Sequence, residues 1–442
     1  MKRLFGTDGV RGLANQELTA ELALQLGRAA GHVLGGAGRR VVVGRDTRRS
    51  GRMLESALAA GLCSVGVEVR LAGHVPTPGL AYLTRTGDFV AGAVISASHN
   101  PAPDNGIKFF DHRGLKLPDE TEDRIEALMG AEDGLPRPTE AGIGLVGDAR
   151  EIVRSYEDFL VGLAPRLGGR RIVLDCANGA TFRIAPAVFA RAGAEVIPLF
   201  TAPDGLNINA GCGSTWPEAA RRAVLEHGAE AGFAFDGDGD RAVVIDERGE
   251  VHDGDFVLAL AARHFARHGR LDPRVVVGTV MSNGGMESTL RREGIELVRT
   301  SVGDRYVWEE MERLGAQLGG ESSGHVIFRE HTTTGDGILT ALEVLHLARA
   351  EGRTLADLAA EVEVWPQVTE NVAAARRREW RSVPAFLDAT RRAEWRLGTA
   401  GRVLVRPSGT EPVLRITVEA LDRSLATTTA AELAAAAREH LG

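Results

Sequence analysis

The sequence predicts an α/β protein: three similar domains with mixed, mostly parallel sheets, then a smaller C-terminal α+β domain, arranged around a central cleft. Three observations predict it. Basic residues followed by a β-branched run open three segments, at Arg39-Arg40-Val41-Val42-Val43, Arg170-Arg171-Ile172-Val173-Leu174 and Arg274-Val275-Val276-Val277. Each continues through a helix-like stretch into a Gly-x-Glu signal and a second strand, at Gly66-Val67-Glu68-Val69, Gly193-Ala194-Glu195-Val196 and Gly294-Ile295-Glu296-Leu297. Each then reaches a polar, Gly-rich loop at a matching place. These are Ser96-Ala97-Ser98-His99-Asn100, Asp236-Gly237-Asp238-Gly239-Asp240 and Gly320-Glu321-Ser322-Ser323-Gly324-His325. Strands alternating with helical stretches imply βαβ units with right-handed crossovers. Ligands of such sheets gather beyond the carboxyl ends of strands, so three equivalent loops would face one cleft.

The size suits this reading. At roughly 150 residues per domain, 442 residues hold several domains and a large core. The repeat and the breaks in it divide the chain at 1–150, 151–252, 253–366 and 367–442. Lys+Arg 52 against Asp+Glu 60 gives a net charge of −8, which argues against a nucleic-acid surface. An anionic ligand must then be held by local groups against the global field. Met1-Lys2-Arg3-Leu4-Phe5 runs into Gly6-Thr7-Asp8-Gly9 without the long apolar core of a signal peptide, and no stretch approaches a membrane span. Cys63, Cys176 and Cys212 are scattered, without metal-ligand spacing, as suits a reducing compartment. The expectation is a cytoplasmic protein with no nucleic-acid or membrane partner and with a homodimer as its candidate assembly.

In chain order, Gly6-Thr7-Asp8-Gly9-Val10-Arg11-Gly12 is a polar turn with one basic side chain. The apolar run Phe89–Ile95 reads as a buried strand, too short for a helix, and Asn100-Pro101 marks the loop after it. A serine there is a poor nucleophile unless a base, a metal or a strong electrophile assists. Alone, this is an ordinary turn. The loop Asp236-Gly237-Asp238-Gly239-Asp240-Arg241 places three carboxylates at alternate positions, able to converge on one hard cation. An EF-hand is the competitor, since Glu247 falls at its twelfth position. Its sixth, however, requires glycine and is Arg241, and the flanks read as strands. Magnesium with a face open to phosphate fits better. Glu321, Ser322, Ser323 and His325 suit sugar hydroxyls.

The pattern breaks after Trp365-Pro366. Arg376-Arg377-Arg378 reads as a solvated face. Arg402–Val405 and Leu414–Val418 flank Arg406-Pro407-Ser408-Gly409-Thr410-Glu411-Pro412 as a hairpin-like unit. Its backbone N–H groups, hydroxyls and arginines, Arg415 included, make an anion nest with guanidinium clamps. The last helix-like stretch, Leu425–Leu441, is Ala-rich and packs on that sheet.

Together the four loops, in this order and spanning nearly the whole chain, resemble the four signature loops of the α-D-phosphohexomutases. That family has four domains, the first three alike. Gly6–Gly12, Val302-Gly303-Asp304-Arg305-Tyr306-Val307, Thr334-Gly335-Asp336-Gly337-Ile338-Leu339 and the residue Ser96 resemble its bacterial members that act on amino-sugar phosphates. The resemblance implies interconversion of glucosamine 6-phosphate and glucosamine 1-phosphate, with Mg2+ as cofactor and a sugar 1,6-bisphosphate as activator. It implies that Ser98 carries the phosphate and completes a metal site with Asp236, Asp238 and Asp240. Arg241 would offset charge while Lys108 or His99 exchanges a proton with the sugar. Arg11, Gly303, Asp304, Glu321, Ser323 and His325 would bind the sugar phosphate, and Arg406, Ser408, Gly409, Thr410 and Arg415 its distal phosphate. A preference for mannose or glucose phosphates within the same family remains an alternative. So does a non-catalytic phosphosugar- or calcium-binding protein.

Overall fold

A computed structural model of the chain describes residues 4–6, 8–36, 38–129, 134–408 and 412–442. Its first sheet holds β1 (Val10–Leu13), β2 (Arg40–Arg45), β3 (Glu68–His74), β4 (Ala91–Ile95), β5 (Asp104–Asp111) and β6 (Val146–Asp148), in the order β1-β5-β4-β2-β3-β6. The second holds β7 (Arg171–Asp175), β8 (Glu195–Leu199), β9 (Ala231–Phe235), β10 (Ala242–Asp246) and β11 (Val251–His252), in the order β11-β10-β9-β7-β8. The third holds β12 (Val275–Thr279), β13 (Glu296–Thr300), β14 (Leu318–Gly320) and β15 (Val326–Phe328), in the order β13-β12-β14-β15.

Without the edge strands β1, β6 and β11, one topology remains three times. The first strand of each unit runs parallel to the second and third, and the fourth returns antiparallel to the third. Two helices make the crossovers each time, for instance Gly51–Ser64 and Thr77–Thr86 in the first unit. The repeat seen in the β-branched runs is therefore a repeat of fold. It also explains why the polar loops are equivalent. All three leave the carboxyl end of the third strand (β4, β9 or β14) and turn back into the fourth. The EF-hand reading fails here: Phe235 and Ala242 are paired residues of two antiparallel strands, not the ends of helices.

The three units share one core. Val42 and Phe110 of the first, Ile172 and Phe233 of the second, and Val257 and Leu318 of the third belong to a single buried cluster. The helix Gly337–Glu351 lies inside it, with residues from Gly337 to Leu345 buried on every face. Tyr156 of the helix Val153–Leu163 donates a hydrogen bond to the Asp336 carboxylate at its N-terminus, at 2.8 Å. Loops projecting from units welded in this way keep fixed positions.

The C-terminal part is separate. Its strands β16 (Gln367–Ala373), β17 (Gly401–Pro407) and β18 (Val413–Ala420) form an antiparallel sheet in the order β16-β18-β17. The helices Pro384–Leu397 and Arg423–Leu441 pack on it over a core of their own. The hairpin and last helix stand where the sequence places them; β16, an additional strand, completes the sheet. This unit is tied to the third through Glu419, which accepts from the Gly284 amide at 3.0 Å, and through Arg402, which donates to the Ser282 carbonyl at 2.5 Å.

Candidate active site

Ser98 sits at φ +52°, a left-handed backbone that non-glycine residues keep only where the surroundings impose it. The imposing group is Arg48. Its side chain is fully buried and donates to the carbonyl oxygens of Ser98 (2.9 Å), Asn100 (2.8 Å), Asp104 (3.0 Å) and Pro101, so it ties down nearly the whole loop. Asp46 neutralises it at 2.9 Å and accepts from the Ser96 hydroxyl at 2.6 Å. Ser96 Oγ in turn accepts from the Ser98 amide at 2.9 Å. From the second unit, Asn209 donates to the Ser98 and Asn100 carbonyls at 2.9 and 3.0 Å.

The aspartate loop meets this serine directly. Ser98 Oγ donates to Asp236 at 2.5 Å. One carboxylate oxygen from each of Asp236, Asp238 and Asp240 lies within 4.8 Å of the others, and all three residues are buried. Close approach requires Gly237, where a Cβ would stand 2.5 Å from the Ser98 carbonyl oxygen. Burial first, then Asp240 and Asp238, push Asp236 well above the usual carboxylate range. Asp240 rises through burial and through Asp238. Burial acts to raise Asp238 too, but Lys108 (3.4 Å) and hydrogen bonds from Asp236 and Thr77 (2.6 Å) hold it low. Three such carboxylates ionise together only when a cation offsets them. Arg241 supplies part of that charge, lying 3.7 Å from Asp240. His99 Nδ1 lies 3.4 Å from Ser98 Oγ, and burial, with Arg241 and Arg11 adding to it, lowers the imidazole to about 4.

A chain of ion pairs carries the site to the third unit. Arg11 (2.9 Å), Lys108 (3.7 Å) and Lys116 (2.7 Å) all pair with Asp8; Lys116 also pairs with Asp304 at 2.6 Å, and Asp304 lies 3.6 Å from His325. Glu321 accepts from the Gly303 amide at 3.0 Å, and His325 Nε2 accepts from the Gly335 amide at 3.1 Å. Among the described residues, twelve buried side-chain polar atoms lack a hydrogen-bond partner. Six belong to these loops: Arg11 Nε, Asp238 Oδ1, Asp240 Oδ1, Arg241 Nε, Ser323 Oγ and His325 Nδ1. Such groups are costly to bury unsatisfied, so their concentration here points to a polar ligand.

The fourth loop stands apart. Among the described residues no hydrogen bond joins Arg406 to the other three loops; Gly409 and Thr410 lie outside the described residues. Arg406 and Arg415 face each other across the β17–β18 ladder, and burial and then Arg415 lower the Arg406 guanidinium. Two like charges directly opposed across a ladder are unfavourable. Ser408 is buried at the end of that strand. Sequence reasoning missed Asp46, Arg48, Thr77, Lys116 and Asn209. Asp46 and Arg48 follow the first β-branched strand, and a charged pair at a parallel strand's carboxyl end was the one available signal.

Residues 2–135, 155–249 and 253–364 match the alpha/beta/alpha domains I, II and III of the phosphoglucomutase/phosphomannomutase family, and residues 370–436 match its C-terminal domain. The chain is 53% identical over 438 residues to a protein of Desulforudis audaxviator named phosphoglucosamine mutase, covering 98% of this chain and 97% of that one. A protein of the same name from Symbiobacterium thermophilum is 52% identical, with both chains covered completely. A crystal structure of a phosphoglucomutase/phosphomannomutase family protein from Burkholderia thailandensis superposes with a TM-score of 0.83 at 26% identity, over 99% of this chain and 97% of that one.

Removing Arg48 leaves Asp46 buried without its partner and frees the serine loop. Arg48→Met is expected to cost about 3–5 kcal/mol, the range for breaking one side of a buried pair, and to disorder the loop. Calorimetry of the purified variant, with amide exchange at residues 96–104, checks this. An unchanged melting profile and unchanged protection would show that Arg48 does not hold the loop.

Proposed function

The chain belongs to the phosphoglucomutase/phosphomannomutase family, and we propose that its reaction is the interconversion of glucosamine 6-phosphate and glucosamine 1-phosphate. The observation that carries the reading is the Ser98 hydroxyl, held 2.5 Å from Asp236 within a cluster of three buried aspartates. The amino sugar is supported by the relatives named phosphoglucosamine mutase, about half identical over nearly the full chain.

In this reading Ser98 carries a phosphoryl group. The bond from its Oγ to phosphorus breaks as one forms to a hydroxyl of the bound sugar monophosphate, giving glucosamine 1,6-bisphosphate and free Ser98. His99, whose imidazole burial lowers to about 4, takes the proton of the sugar hydroxyl, and Lys108, paired as a cation with Asp8 and Asp238, gives one to the departing Ser98 Oγ. The bisphosphate then turns over in the cleft and its other sugar oxygen–phosphorus bond breaks as one forms to Ser98 Oγ. Ser98 gives its proton to Lys108 and the freed sugar oxygen takes one from His99, which restores the phosphoserine. Phosphoryl transfer needs positioning and charge neutralisation more than covalent chemistry from the protein. Arg241 offsets charge at the transferred group. Asp236, Asp238, Asp240 and the phosphate of Ser98 would hold magnesium. The orphaned Oδ1 atoms of Asp238 and Asp240 fit such a hard cation, which when bound would neutralise the phosphoryl oxygens.

Arg11, Gly303, Asp304, Glu321, Ser323 and His325 hold the sugar phosphate, the unpartnered Ser323 hydroxyl and His325 Nδ1 donating to it. Arg406, Ser408, Gly409, Thr410 and Arg415 take the distal phosphate through charge-assisted hydrogen bonds. A sugar 1,6-bisphosphate serves as activator by phosphorylating Ser98. The three cysteines are buried and free, in keeping with a cytoplasmic setting.

A coupled assay on glucosamine, glucose and mannose phosphates, with bisphosphate present, should give the highest kcat/KM on the amino sugar. Intact-mass measurement of active enzyme should show one added phosphate that Ser98→Ala loses together with nearly all turnover. Full activity in that variant would remove Ser98 from the reaction.

Chelation with EDTA should abolish turnover and magnesium restore it, while Asp238→Asn should weaken magnesium binding measured calorimetrically. Full activity with calcium alone would argue against this assignment of the metal site.

Loss of one guanidinium from the distal clamp removes charge-assisted hydrogen bonds worth roughly 1.5–3 kcal/mol each. Arg415→Ala should therefore raise KM and release more sugar bisphosphate per turnover, while Ser98 still accepts phosphate from the activator. Equal KM and equal release would mean that the C-terminal turn is not the clamp.

A further inference from the structure

Away from the serine and aspartate loops, the first and second units meet over a groove of about 660 Å³. Six arginines line it: Arg45, Arg52, Arg150, Arg154, Arg183 and Arg191. In a chain of net charge −8 this is a concentration against the global field. Some of it is neutralised locally. Glu55 takes Arg45 at 3.3 Å, Asp148 takes Arg150, and Asp158 takes Arg191 at 2.6 Å, while Glu151 and Glu157 also line the groove. Arg52, Arg154 and Arg183 have no carboxylate partner among the described residues. Arg183 is held over the Phe182 ring, 4.9 Å from its centroid.

The floor is built rather than incidental. The Arg45 side chain is 7% exposed, and its Nε and one terminal nitrogen are used by Glu55, the Asp46 carbonyl and His74. Its second terminal nitrogen has no partner among the described residues. His74 Nε2 accepts from Arg45, so the ring hydrogen sits on Nδ1, another donor. Burial first, then Arg45, Arg183 and Arg52, lower His74 to about 4, so the ring is neutral at physiological pH. A wall of donors with one deep guanidinium and three uncompensated ones matches the forked geometry of phosphate oxygens. The volume exceeds that of a lone phosphate ion and lies within the range of small-molecule sites.

We propose that this groove binds a small, multiply charged phosphate ester, with Arg45 and His74 at its floor and Arg52, Arg154 and Arg183 gripping the phosphate. The site stands next to the strap beneath Ser98: Arg45 donates to the carbonyl of Asp46, the residue that neutralises Arg48. An occupied groove would also brace the two units that supply the serine and the aspartates.

The test uses the full chain, with a nucleoside diphosphate, inorganic phosphate and citrate as probes in titration calorimetry without added metal. The double variant Arg52→Ala/Arg183→Ala is compared with the parent. The nucleoside diphosphate should bind the parent and lose at least about tenfold in affinity in the variant, from the loss of charge-assisted bonds. Inorganic phosphate should bind more weakly than the ester, and mutase turnover without the probe should be unchanged. Histidine NMR gives a second reading: bound anion offsets the surrounding positive charge and should move the His74 titration upward from about 4. Equal affinity in parent and variant, with a stationary His74 titration, would show only a solvated seam. Citrate binding as tightly as the phosphate ester would overturn the ligand class.

Discussion

The guanidinium of Arg48 is buried completely, and four backbone carbonyls of the loop from Ser98 to Asp104 depend on it. A cation without access to water needs a full set of acceptors and a counter-charge, and this loop and Asp46 supply both. The constraint runs both ways. Arg48 cannot be satisfied unless the loop adopts its turn, and Ser98 cannot hold a left-handed backbone unless Arg48 is in place. Asn209 repeats two of the same contacts from the second unit, so the serine loop and the aspartate loop are held in register. The 2.5 Å contact between Ser98 and Asp236 is the result.

From that contact outward the site is a balance of buried charge. Asp238 is held ionised by Lys108 and Thr77, Asp8 by Lys108, Lys116 and Arg11, and Asp304 by Lys116. Lys108 and Lys116 are each shared by two carboxylates from different loops. Displacement of one loop would therefore leave a charge unpaired in another. The three repeated units act as one rigid floor, while the C-terminal unit, with its own core, brings its arginines on a separately folded body.

Much of this was legible in the sequence, for a definite physical reason. Parallel strands buried on both faces read as unbroken β-branched runs, so Val41–Val43, Ile172–Leu174 and Val275–Val277 announced the repeat. The loops at their equivalent ends announced the site because glycine and clustered aspartate have few structural uses. Boundaries were less exact: the strand read as Phe89–Ile95 runs Ala91–Ile95, as ends fray by a residue or two. What stayed hidden was the support. Arg48, Asn209 and Lys116 matter through contacts 50, 111 and 188 residues away in sequence. A lone arginine, asparagine or lysine has no local pattern by which to report a distant partner. The groove around Arg45 was hidden likewise, since its arginines come from four separate stretches.

The helix Gly337–Glu351, buried on every face from Gly337 to Leu345 and set within the common core, has a consequence for how the molecule comes into being. Synthesised from the amino terminus, the chain exposes 336 residues before this segment appears. Until then Phe235, Ala242 and the helix Val153–Leu163 lack the surface that covers them in the finished protein. The early units can form their sheets on the ribosome but must wait, with greasy faces uncovered, for a late central piece to slot in. The nascent protein is therefore most vulnerable to clumping until this helix has been made.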